Sequence, residues 1–328
     1  MDIIQYAHKK MDKPTGLIIG TNLGAASLGM SLADMNASAS AQTEAILAFR
    51  ERFTADFLLT AMDLSVEAQC FGSHVQFSKT HPPVVEGRLL QDIDQINALS
   101  VPAIGEERIP VFLDAVRLLK KEEKNKPVLG GVIGPLSLAG SLFGVTNMLE
   151  LTIADKAAAI QLIEKCAQFI HAYLQGFKEA GADGVILSEP TAGLLSPRAM
   201  SKLSSPYVRE MVGRWDDEAF HIVYHNCAAK PVHLGAVVET GAQFFNFGEP
   251  MELDAALEKM SDGQIISGNL DPARVFLAED AGSVVDETRR LLDAFGDNDQ
   301  FLPGSGCDLP YHTPFENVDA FYHTLRNA

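Results

Sequence analysis

The sequence predicts an α/β fold, a single (β/α)8 TIM barrel in which residues 1–328 form one domain. Short apolar runs alternate with longer helical patterns along the chain, which is typical of parallel βαβ units. About eight such units fit into 328 residues, the size of one barrel of this kind. No Pro/Ser-rich linker and no short internal repeat divides the chain.

The predicted strands are short apolar runs that end abruptly at polar residues, Gly or Pro. Asp63 follows one of them, Gly134-Pro135 closes another, and Ser188-Glu189-Pro190 follows a third. Such exits mark the carboxyl ends of strands, where α/β folds place their sites. The runs are, in chain order, Gly16–Gly20, Phe57–Met62, Val128–Ile133, Gly184–Leu187, His221–Tyr224, Gln243–Phe247, Gln264–Ser267 and Phe301–Leu302.

The predicted helices are recognised by apolar residues at helical spacing and by their ends. Pro110 and Pro197 stand in first turns, where a missing N–H is tolerated, while Gly181 and Gly241 end helices. Thr21–Ala41, rich in Gly, Ala, Ser and Met, is predicted as loop and short helix. The other predicted helices are Thr43–Phe53, Val66–Phe71, Pro110–Asn125, Ile153–Ala180, a helix from Ser196-Pro197, Pro231–Thr240, Val284–Phe295 and Pro314–Arg326.

Composition excludes several classes of partner. Hydrophobic residues make up 47% and charged residues 21% of the chain, as in ordinary soluble proteins. The net charge of -17, without a long basic run, argues against nucleic acid or an anionic membrane as partner. The N-terminus lacks the apolar core of a signal peptide, and no stretch reaches about 18 apolar residues. Four sparse cysteines indicate reduced thiols, so we expect a cytoplasmic protein.

A metal site is predicted from His225 and Cys227 in IVYHNC, together with Cys307 in GSGC. One imidazole and two thiolates are ligands that zinc takes in proteins. In an extended segment, the i and i+2 side chains share one face, so His225 and Cys227 can point to the same ion. Cys307 has to come from a different strand end. The alternative is that the cysteines are small buried hydrophobic residues.

Three carboxyl groups are candidate catalytic residues at predicted strand ends. Glu249, in FGEP after the next strand, is also a candidate fourth zinc ligand, and its alternative is a solvated loop acid or a helix N-terminal acid near Pro250. Glu189, in SEP, is a candidate general base, substrate anchor or spare ligand, or else a cap for the following turn. Asp271, in GNLDP, equally fits a helix cap. The sequence leaves open whether Glu249 or Glu189 completes the metal site.

The ligand set indicates a kind of chemistry. Two thiolates leave little positive charge on zinc, which makes the ion a weak activator of water. Such an ion is well suited to bind a third thiol, to lower its pKa and to keep it as a nucleophilic thiolate. Alkyl transfer to sulfur fits this set better than hydrolysis, whose zinc ligands are usually rich in His and carboxylate.

Motifs along most of the chain carry a family resemblance. They are Asp63–Ala68 with Phe71-Gly72, Gly134-Pro135, Glu189-Pro190 with Leu195–Pro197, His225-x-Cys227, Gly268–Pro272 and Cys307. In this pattern the chain resembles the uroporphyrinogen decarboxylase superfamily. More narrowly, it resembles the zinc-dependent branch, the methylcobalamin:coenzyme M methyltransferases of methanogens and their bacterial relatives. His-x-Cys with a distant Cys is the specific part, and the other motifs mark the superfamily.

The resemblance implies a (β/α)8 barrel that binds Zn2+ through His225, Cys227 and Cys307, with Glu249 as a carboxylate that exchanges with the thiol. It implies methyl transfer from methylcobalamin, carried by a partner corrinoid protein at the barrel mouth, to a small thiol such as coenzyme M. The chain lacks the Asp-x-His-x-x-Gly motif of a cobalamin domain, which also assigns the corrinoid to a partner. The spacing from His225 to Glu249 further resembles that of cobalamin-independent methionine synthase.

Two other functions stay open. One is a uroporphyrinogen decarboxylase-like decarboxylase without metal, but that enzyme holds a polycarboxylate with arginines near its N-terminus, and here the first arginine is Arg50. The other is a non-catalytic zinc-binding or corrinoid-docking barrel. The sequence names neither the acceptor thiol, nor the original methyl donor, nor the oligomeric state.

Overall fold

A computed structural model describes residues 1–11 and 15–327, which form a curled parallel sheet surrounded by helices. The strands run β1 (Leu58–Leu59), β2 (Val75–Gln76), β3 (Val84–Val85), β4 (Val128–Ile133), β5 (Gly184–Ser188), β6 (His221–Asn226), β7 (Phe244–Phe247), β8 (Ile265–Leu270) and β9 (Phe301–Ser305). Seven of them pair in the order β1-β4-β5-β6-β7-β8-β9, all parallel, while β2 and β3 form an antiparallel hairpin. The α/β prediction is confirmed.

Helices lie between successive strands and cover the outer face of the sheet. They are α1 (Ile3–Met11), α2 (Thr21–Ser27), α3 (Leu32–Ala37), α4 (Ala39–Phe53), α5 (Val66–Cys70), α6 (Ile93–Ala98), α7 (Ile109–Glu122), α8 (Pro135–Phe143), α9 (Val145–Ala154), α10 (Lys156–Ala180), α11 (Pro197–Leu203), α12 (Ser205–Trp215), α13 (Leu234–Val238), α14 (Leu253–Lys259), α15 (Ala281–Phe295) and α16 (Phe315–Arg326). In the described part of the chain, no single helix is long and apolar enough to cross a membrane, although α8 and α9, bent by 106°, pass that test jointly.

The strands are apolar on both faces, because helices cover one face and the curled sheet encloses the other. Alternate residues of each strand therefore belong to two different cores. Outward side chains such as Leu187 and Tyr224 pack in the large cluster with the helices. Inward side chains form a separate layer inside the sheet, which includes Ile186, Val223, Phe244 and Ile265.

One step towards the carboxyl ends, the inward layer becomes polar. Residues two positions after the apolar layer point the same way. Strand register then aligns Ser188 with His225, His225 with Asn246, and Asn246 with Ser267. All four residues are buried. A row of hydrogen-bonding groups therefore lies directly above an apolar floor, at the end of the sheet where the candidate site is expected.

Helix α1 lies at the opposite end of the sheet. Ile3 and Ala7 are fully buried and pack against the inward apolar layer. Asp2, just before the helix, contacts His221 at the start of β6, with 3.3 Å between its Oδ1 and the imidazole Nε2. Helix α1, which the sequence did not predict, therefore covers the amino-terminal end of the sheet and leaves the carboxyl end accessible.

The predicted first strand, Gly16–Gly20, does not form a regular strand. Leu17 alone bridges to Gly304 of β9. The next backbone hydrogen bond of a regular ladder, from Ile19 to the Ser305 carbonyl, does not form. The N–H of Ile19 donates to the Ser305 side chain instead, at 3.0 Å. The carbonyl of Ser305 accepts instead from Asn246 Nδ2 at 3.3 Å. The described residues thus form a seven-stranded curled sheet, which Gly16–Gly20 joins through one bridge rather than as the predicted regular strand.

The predicted long helix Ile153–Ala180 is two helices. The chain breaks at Asp155, which has φ -143° and ψ 86°, and whose carboxylate accepts from the N–H groups of Ala157 and Ala158 at 3.1 Å. An Asp that caps the following N–H groups favours a new helix start over continuation. The apolar periodicity runs across the break because both helices bury residues against the same core.

Candidate metal centre

The structure brings together the three residues that the sequence selected as metal ligands. One ligand atom each from His225, Cys227 and Cys307 lie within 4.8 Å of one another. His225 is the fifth residue of β6, Cys227 directly follows that strand, and Cys307 lies two residues beyond β9. The histidine is buried and both cysteines are half-buried. Curling of the sheet therefore brings two ligand-bearing strand ends to one point.

Two glycines let the cysteine-bearing loops pack closely. A Cβ atom on Gly248, in the loop after β7, would lie 2.3 Å from the carbonyl oxygen of Cys227. A Cβ atom on Gly306 would lie 2.9 Å from the Cα atom of Gly248. Neither distance is compatible with a side chain, so glycine is required at both positions. The glycine next to Cys307 in GSGC is explained by this packing.

Asn246 orients the imidazole of His225. The two residues face each other in the strand register, and the Nδ1 atom of His225 lies 2.7 Å from Asn246 Oδ1. Because Asn246 Nδ2 donates to the carbonyl of Ser305, its Oδ1 faces the ring and accepts from Nδ1–H. In the neutral ring, the Nε2 atom is then left with its lone pair available towards the cysteines. A hydrogen-bonded second nitrogen is the usual arrangement for a histidine that binds metal.

The three groups alter one another's pKa values. The hydrogen bond from the Cys227 thiol, and then that with His225, hold the pKa of Cys307 below its ordinary value despite burial. The same Cys227–Cys307 hydrogen bond, together with burial, raises the pKa of Cys227. Burial alone would lower the pKa of His225, but its hydrogen bond with Cys307 and the charge there raise it. The cluster therefore favours negative charge at Cys307, as a cation site requires.

These donors fit a zinc ion. Around tetrahedral zinc, with bonds of about 2.3 Å to sulfur and about 2.0–2.1 Å to nitrogen, ligand atoms stand roughly 3.3–3.8 Å apart. The three donor atoms already lie within 4.8 Å of one another, so they need to move only slightly to reach that geometry. Three protein ligands with a free fourth position are typical of a catalytic rather than a structural zinc site.

Glu189 is buried beside the site, but its carboxylate has a structural role. It accepts hydrogen bonds from the N–H groups of Leu136 and Ser137, at 3.1 and 2.7 Å, and from the Ser137 hydroxyl. It therefore caps helix α8, a different element from the following turn that the sequence suggested. Burial raises the pKa of Glu189 to about 7, against the lowering effect of these hydrogen bonds.

The other two carboxyl candidates lie outside the cluster. Glu249 is exposed, and among the described residues the set of ligand atoms within 4.8 Å contains only the histidine and the two cysteines. Its charge acts on Arg274 instead, whose pKa is raised first by Glu287 and also by Glu249. Asp271 accepts from the N–H groups of Ala273 and Arg274 at 2.7 and 2.9 Å. Asp271 therefore caps the helical turn that follows it.

A cavity of about 280 Å³ opens onto His225 and Cys307 and is called here the cluster cavity. The polar groups in its wall are Ser188, His225, Cys307 and Asp308. Its remaining lining residues are apolar, namely Ile19, Met62, Leu64, Pro82 and Pro83. Both prolines lie between β2 and β3, so the hairpin forms one side of the cavity. Its apolar walls and few polar groups are typical of a small-molecule site.

The sequence did not single out Asp308, Asn246 or the hairpin. Asp308 follows Cys307, and its Oδ2 accepts from Asn22 Nδ2 at 2.7 Å, while its Oδ1 is buried and has no partner among the described residues. Burial, and then the charge of Cys307, raise the pKa of Asp308 well above its ordinary value. For Asp308, the only signal in the sequence was its position next to the candidate ligand Cys307.

Comparison with known proteins places the chain in a family. The sequence profile of uroporphyrinogen decarboxylase (URO-D) matches residues 16–328. A methylcobamide:CoM methyltransferase, MtbA, from Methanosarcina acetivorans is 25% identical over 270 residues, 81% of this chain and 78% of the relative. MtbA from Methanosarcina mazei is 28% identical over 272 residues, with the same shares. A uroporphyrinogen decarboxylase from Legionella pneumophila is 27% identical over 275 residues, 81% of this chain and 77% of the relative.

Solved structures agree with this assignment at the level of the fold. A methyltransferase from Methanosarcina mazei superposes with a TM-score of 0.84 and 20% identity, covering 96% of this chain and 92% of that one. A B12-independent methionine synthase from Shewanella superposes with a TM-score of 0.57 and 12% identity, covering 88% of each chain. The profile match spans the sheet, the helices around it and all three cluster residues, and the chain belongs to the uroporphyrinogen decarboxylase family.

Proposed function

We propose that this protein is a zinc-dependent methyltransferase that moves a methyl group from a methyl-corrinoid, carried by a partner protein, to the sulfur of a small thiol such as coenzyme M. In this reaction a sulfur–carbon bond forms, the cobalt–carbon bond breaks with its electron pair left on cobalt, and the thiol proton is released. The His225–Cys227–Cys307 cluster supports the proposal most strongly, because it offers three zinc ligands, two of which line a largely apolar cavity.

The residues have distinct roles in this proposal. His225 Nε2 and the sulfurs of Cys227 and Cys307 hold the ion, and Asn246 keeps the imidazole in the required tautomer. Bound zinc would lower the pKa of a coordinated thiol and keep it as thiolate at neutral pH. The cluster cavity limits the access of water to that sulfur.

The three candidate carboxyl groups have different roles in this proposal. Glu249 stays the proposed exchangeable fourth ligand, and it reaches the ion only if its exposed loop moves towards Cys227. Glu189 holds helix α8 beside the site, and Asp271 holds the turn after β8. We further propose that Gly16–Gly20 completes an eight-stranded barrel as an irregular eighth member, within one domain located in the cytoplasm.

Two relatives named for coenzyme M methyl transfer favour this function over the metal-free decarboxylase. The cavity also disfavours a polycarboxylate substrate. Among the side chains that the structure describes, residues 1–8 and 15–327, no lysine or arginine lines the cavity, whereas Asp308 does. Several substrate carboxylates buried there would lack cationic partners.

A thiol-dependent demethylation assay tests the proposal. Zinc-loaded protein is mixed with methylcobalamin and a panel of small thiols, and loss of the methyl-cobalt absorbance is followed together with the methylated thiol. We expect one methylated thiol for each demethylated cobalamin. Cys227→Ala should bind at least tenfold less zinc and lose this activity, because two protein ligands cannot hold the ion as three do.

The matched control is Cys166→Ala. Cys166 is buried in helix α10 and does not belong to the cluster, so this variant should keep its zinc and its activity after any loss of stability is allowed for. The proposal is wrong if the zinc-loaded native protein demethylates methylcobalamin with none of the thiols. It is equally wrong if Cys227→Ala keeps full activity.

A further inference from the structure

One hydroxyl in the wall of the cluster cavity, that of Ser188, makes no hydrogen bond with any described residue. Resting on the proposed function, we infer that Ser188 is a specificity-determining residue, whose hydroxyl donates a hydrogen bond to an oxygen atom carried two carbons from the sulfur of the acceptor. The acceptor class is a small thiol with an oxygen-bearing head group, to which coenzyme M belongs. Neither the family match nor the metal cluster assigns a role to Ser188.

The other polar groups in the cavity wall are engaged elsewhere. His225 and Cys307 belong to the cluster. Asp308 Oδ2 accepts from Asn22 Nδ2 at 2.7 Å, and Asp308 Oδ1 is sealed from the cavity and from solvent. Within the described part of the chain, the Ser188 hydroxyl is therefore the remaining hydrogen-bonding side chain that the wall offers to a ligand.

The Ser188 side chain is buried, yet its hydroxyl can be reached from the cavity. The residue is only 3% exposed and lines the cavity. Ser267, at the other end of the polar row, shows the contrasting case, because its Oγ has neither a partner among the described residues nor accessible surface. Ser188 Oγ is not such a sealed atom. Buried polar atoms in native proteins nearly always have a partner, so an unpaired hydroxyl that faces a cavity indicates a partner on the ligand.

Backbone hydrogen bonds fix Ser188 in place before a ligand binds. Ser188 ends β5 and lies opposite His225 in the register of β5 and β6. Its carbonyl accepts from the N–H of Gly134 at 2.7 Å, and the N–H of Glu189 donates to the carbonyl of His225 at 2.9 Å. The side chain therefore projects from a strand end that is held on both sides.

The strand order indicates which atom of the acceptor the hydroxyl contacts. His225 turns its Nδ1 towards Asn246 on β7, whereas Ser188 lies on β5, on the opposite side of the imidazole. Neighbouring strands are about 4.8 Å apart, so we expect a sulfur bound at the cluster to lie beyond hydrogen-bond distance of Ser188. A two-carbon spacer bridges such a gap, and an oxygen at its end can accept from the hydroxyl.

Titration calorimetry with the zinc-loaded protein tests the inference. The thiols are 2-mercaptoethanesulfonate (coenzyme M), 2-mercaptoethanol and 1-propanethiol, in which a methyl group replaces the hydroxyl of 2-mercaptoethanol. The affinity of each thiol for Ser188→Ala is compared with its affinity for the native protein, so that differences in thiol acidity cancel. We expect a loss of at least about tenfold for the sulfonate and about threefold for the alcohol, because hydrogen bonds to charged acceptors are stronger. The affinity for 1-propanethiol should change less than about twofold, because it has no oxygen to lose a hydrogen bond.

Two further variants separate the hydrogen bond from other effects. Ser267→Ala is the matched control, because it removes a hydroxyl from the same polar row that does not line the cavity, and it should bind all three thiols as the native protein does. Ser188→Thr keeps a hydroxyl and should retain most of the affinity for the sulfonate. Zinc affinity, measured by competition with a chelator, should be the same in all four proteins.

Three results would overturn the inference. Equal losses for all three thiols in Ser188→Ala would mean that Ser188 acts on the sulfur or on the metal site. An unchanged affinity for the sulfonate would mean that the hydroxyl does not contact the head group. A loss in Ser188→Thr as large as that in Ser188→Ala would show that the hydroxyl is not what the acceptor needs.

The demethylation assay keeps this inference apart from the proposed function. If the native protein methylates the thiols and Ser188→Ala binds the sulfonate as tightly as the native protein, the inference fails while the proposed methyl transfer stands. If the affinities change as expected and no thiol is methylated, the proposed function fails although Ser188 contacts the head group.

Discussion

At the residue scale, a single amide connects the two halves of the candidate metal centre. Asn246 lies on β7, between the strand of His225 and the strand that precedes Cys307. Its oxygen accepts from the imidazole at 2.7 Å and its nitrogen donates to the carbonyl of Ser305 at 3.3 Å. The same carbonyl is free for this bond because Ile19 donates to the Ser305 hydroxyl. The irregular pairing of Gly16–Gly20 thus leaves the Ser305 carbonyl to Asn246, whose oxygen contacts the candidate ligand His225.

The orientation of His225 by Asn246 predicts the effect of two substitutions. Asn246→Ala removes the acceptor for Nδ1–H, so the affinity for zinc should fall about 10–100-fold, the usual effect of losing such a partner. Competition with a chelator of known zinc affinity measures this change.

Asn246→Asp is the matched control because it keeps an oxygen for Nδ1–H, while it loses the donor to Ser305 and adds a negative charge that favours a bound cation. It should hold zinc at least as tightly as the native protein. The electronic absorption of the cobalt-substituted protein gives a second readout, since a rotated imidazole alters the ligand-field bands. Equal affinities of Asn246→Ala and the native protein would show that the amide does not position the histidine.

At the element scale, helix caps determine where helices begin. Several acidic residues act as such caps, and two of them are residues that the sequence offered as catalytic candidates. Asp155, Asp271 and Glu189 each accept from backbone N–H groups at the first turn of a helix or helical turn. The first two cap the elements that follow them in sequence. Glu189 instead caps α8, which is 52 residues distant from it at Ser137. Local spacing can indicate the first kind of cap and cannot indicate the second.

The break between α9 and α10 can be tested through its cap. Asp155→Ala should lower the free energy of unfolding by about 1 kcal/mol, because two N–H groups at the start of α10 lose their acceptor. Asp155→Asn, which keeps an oxygen, should change it much less. Urea denaturation of both variants measures the difference. Equal stability of the alanine and asparagine variants would contradict the capping role.

At the scale of the whole molecule, buried acidic groups make the free energy of unfolding depend on pH. Glu67 on α5 is buried, its Oε1 accepts from the N–H of Ile133 at 2.9 Å, and its Oε2 has no partner among the described residues. Burial raises its pKa from the ordinary value of 4.5 to about 8. Between these two values the folded chain holds a proton that the unfolded chain has lost. The contribution of this group to stability therefore becomes less favourable as pH rises through that range.

Glu67→Gln removes this titration. The free energy of unfolding of the native protein, relative to that of the variant, should fall steadily from about pH 4.5 to about pH 8, and it should be constant below and above that range. Urea midpoints at pH 5, 6.5 and 8.5 measure the trend. Glu44→Gln, the same substitution at an exposed position, is the matched control variant. Parallel profiles for native and Glu67→Gln proteins would count against a raised pKa.

The sequence by itself determined the alternation of strands and helices and the identity of three metal-ligand candidates. Strand bounds such as Val128–Ile133 were correct because a strand buried on both faces is a continuous apolar run. His225 and Cys227 could be linked by their spacing alone, and Cys307 was added as a glycine-flanked strand exit.

Only the tertiary structure decided which partners these residues have. The link of Asn246 to His225 depends on the register of β6 and β7, and the cap provided by Glu189 depends on a contact across 52 residues. The orphan oxygen of Asp308 appears only when α2 and the turn after β9 meet, because Asn22 then binds the other oxygen. Hydrogen bonds between strand ends depend on how the sheet curls. The hydrophobic periodicity of the sequence does not predict that curvature.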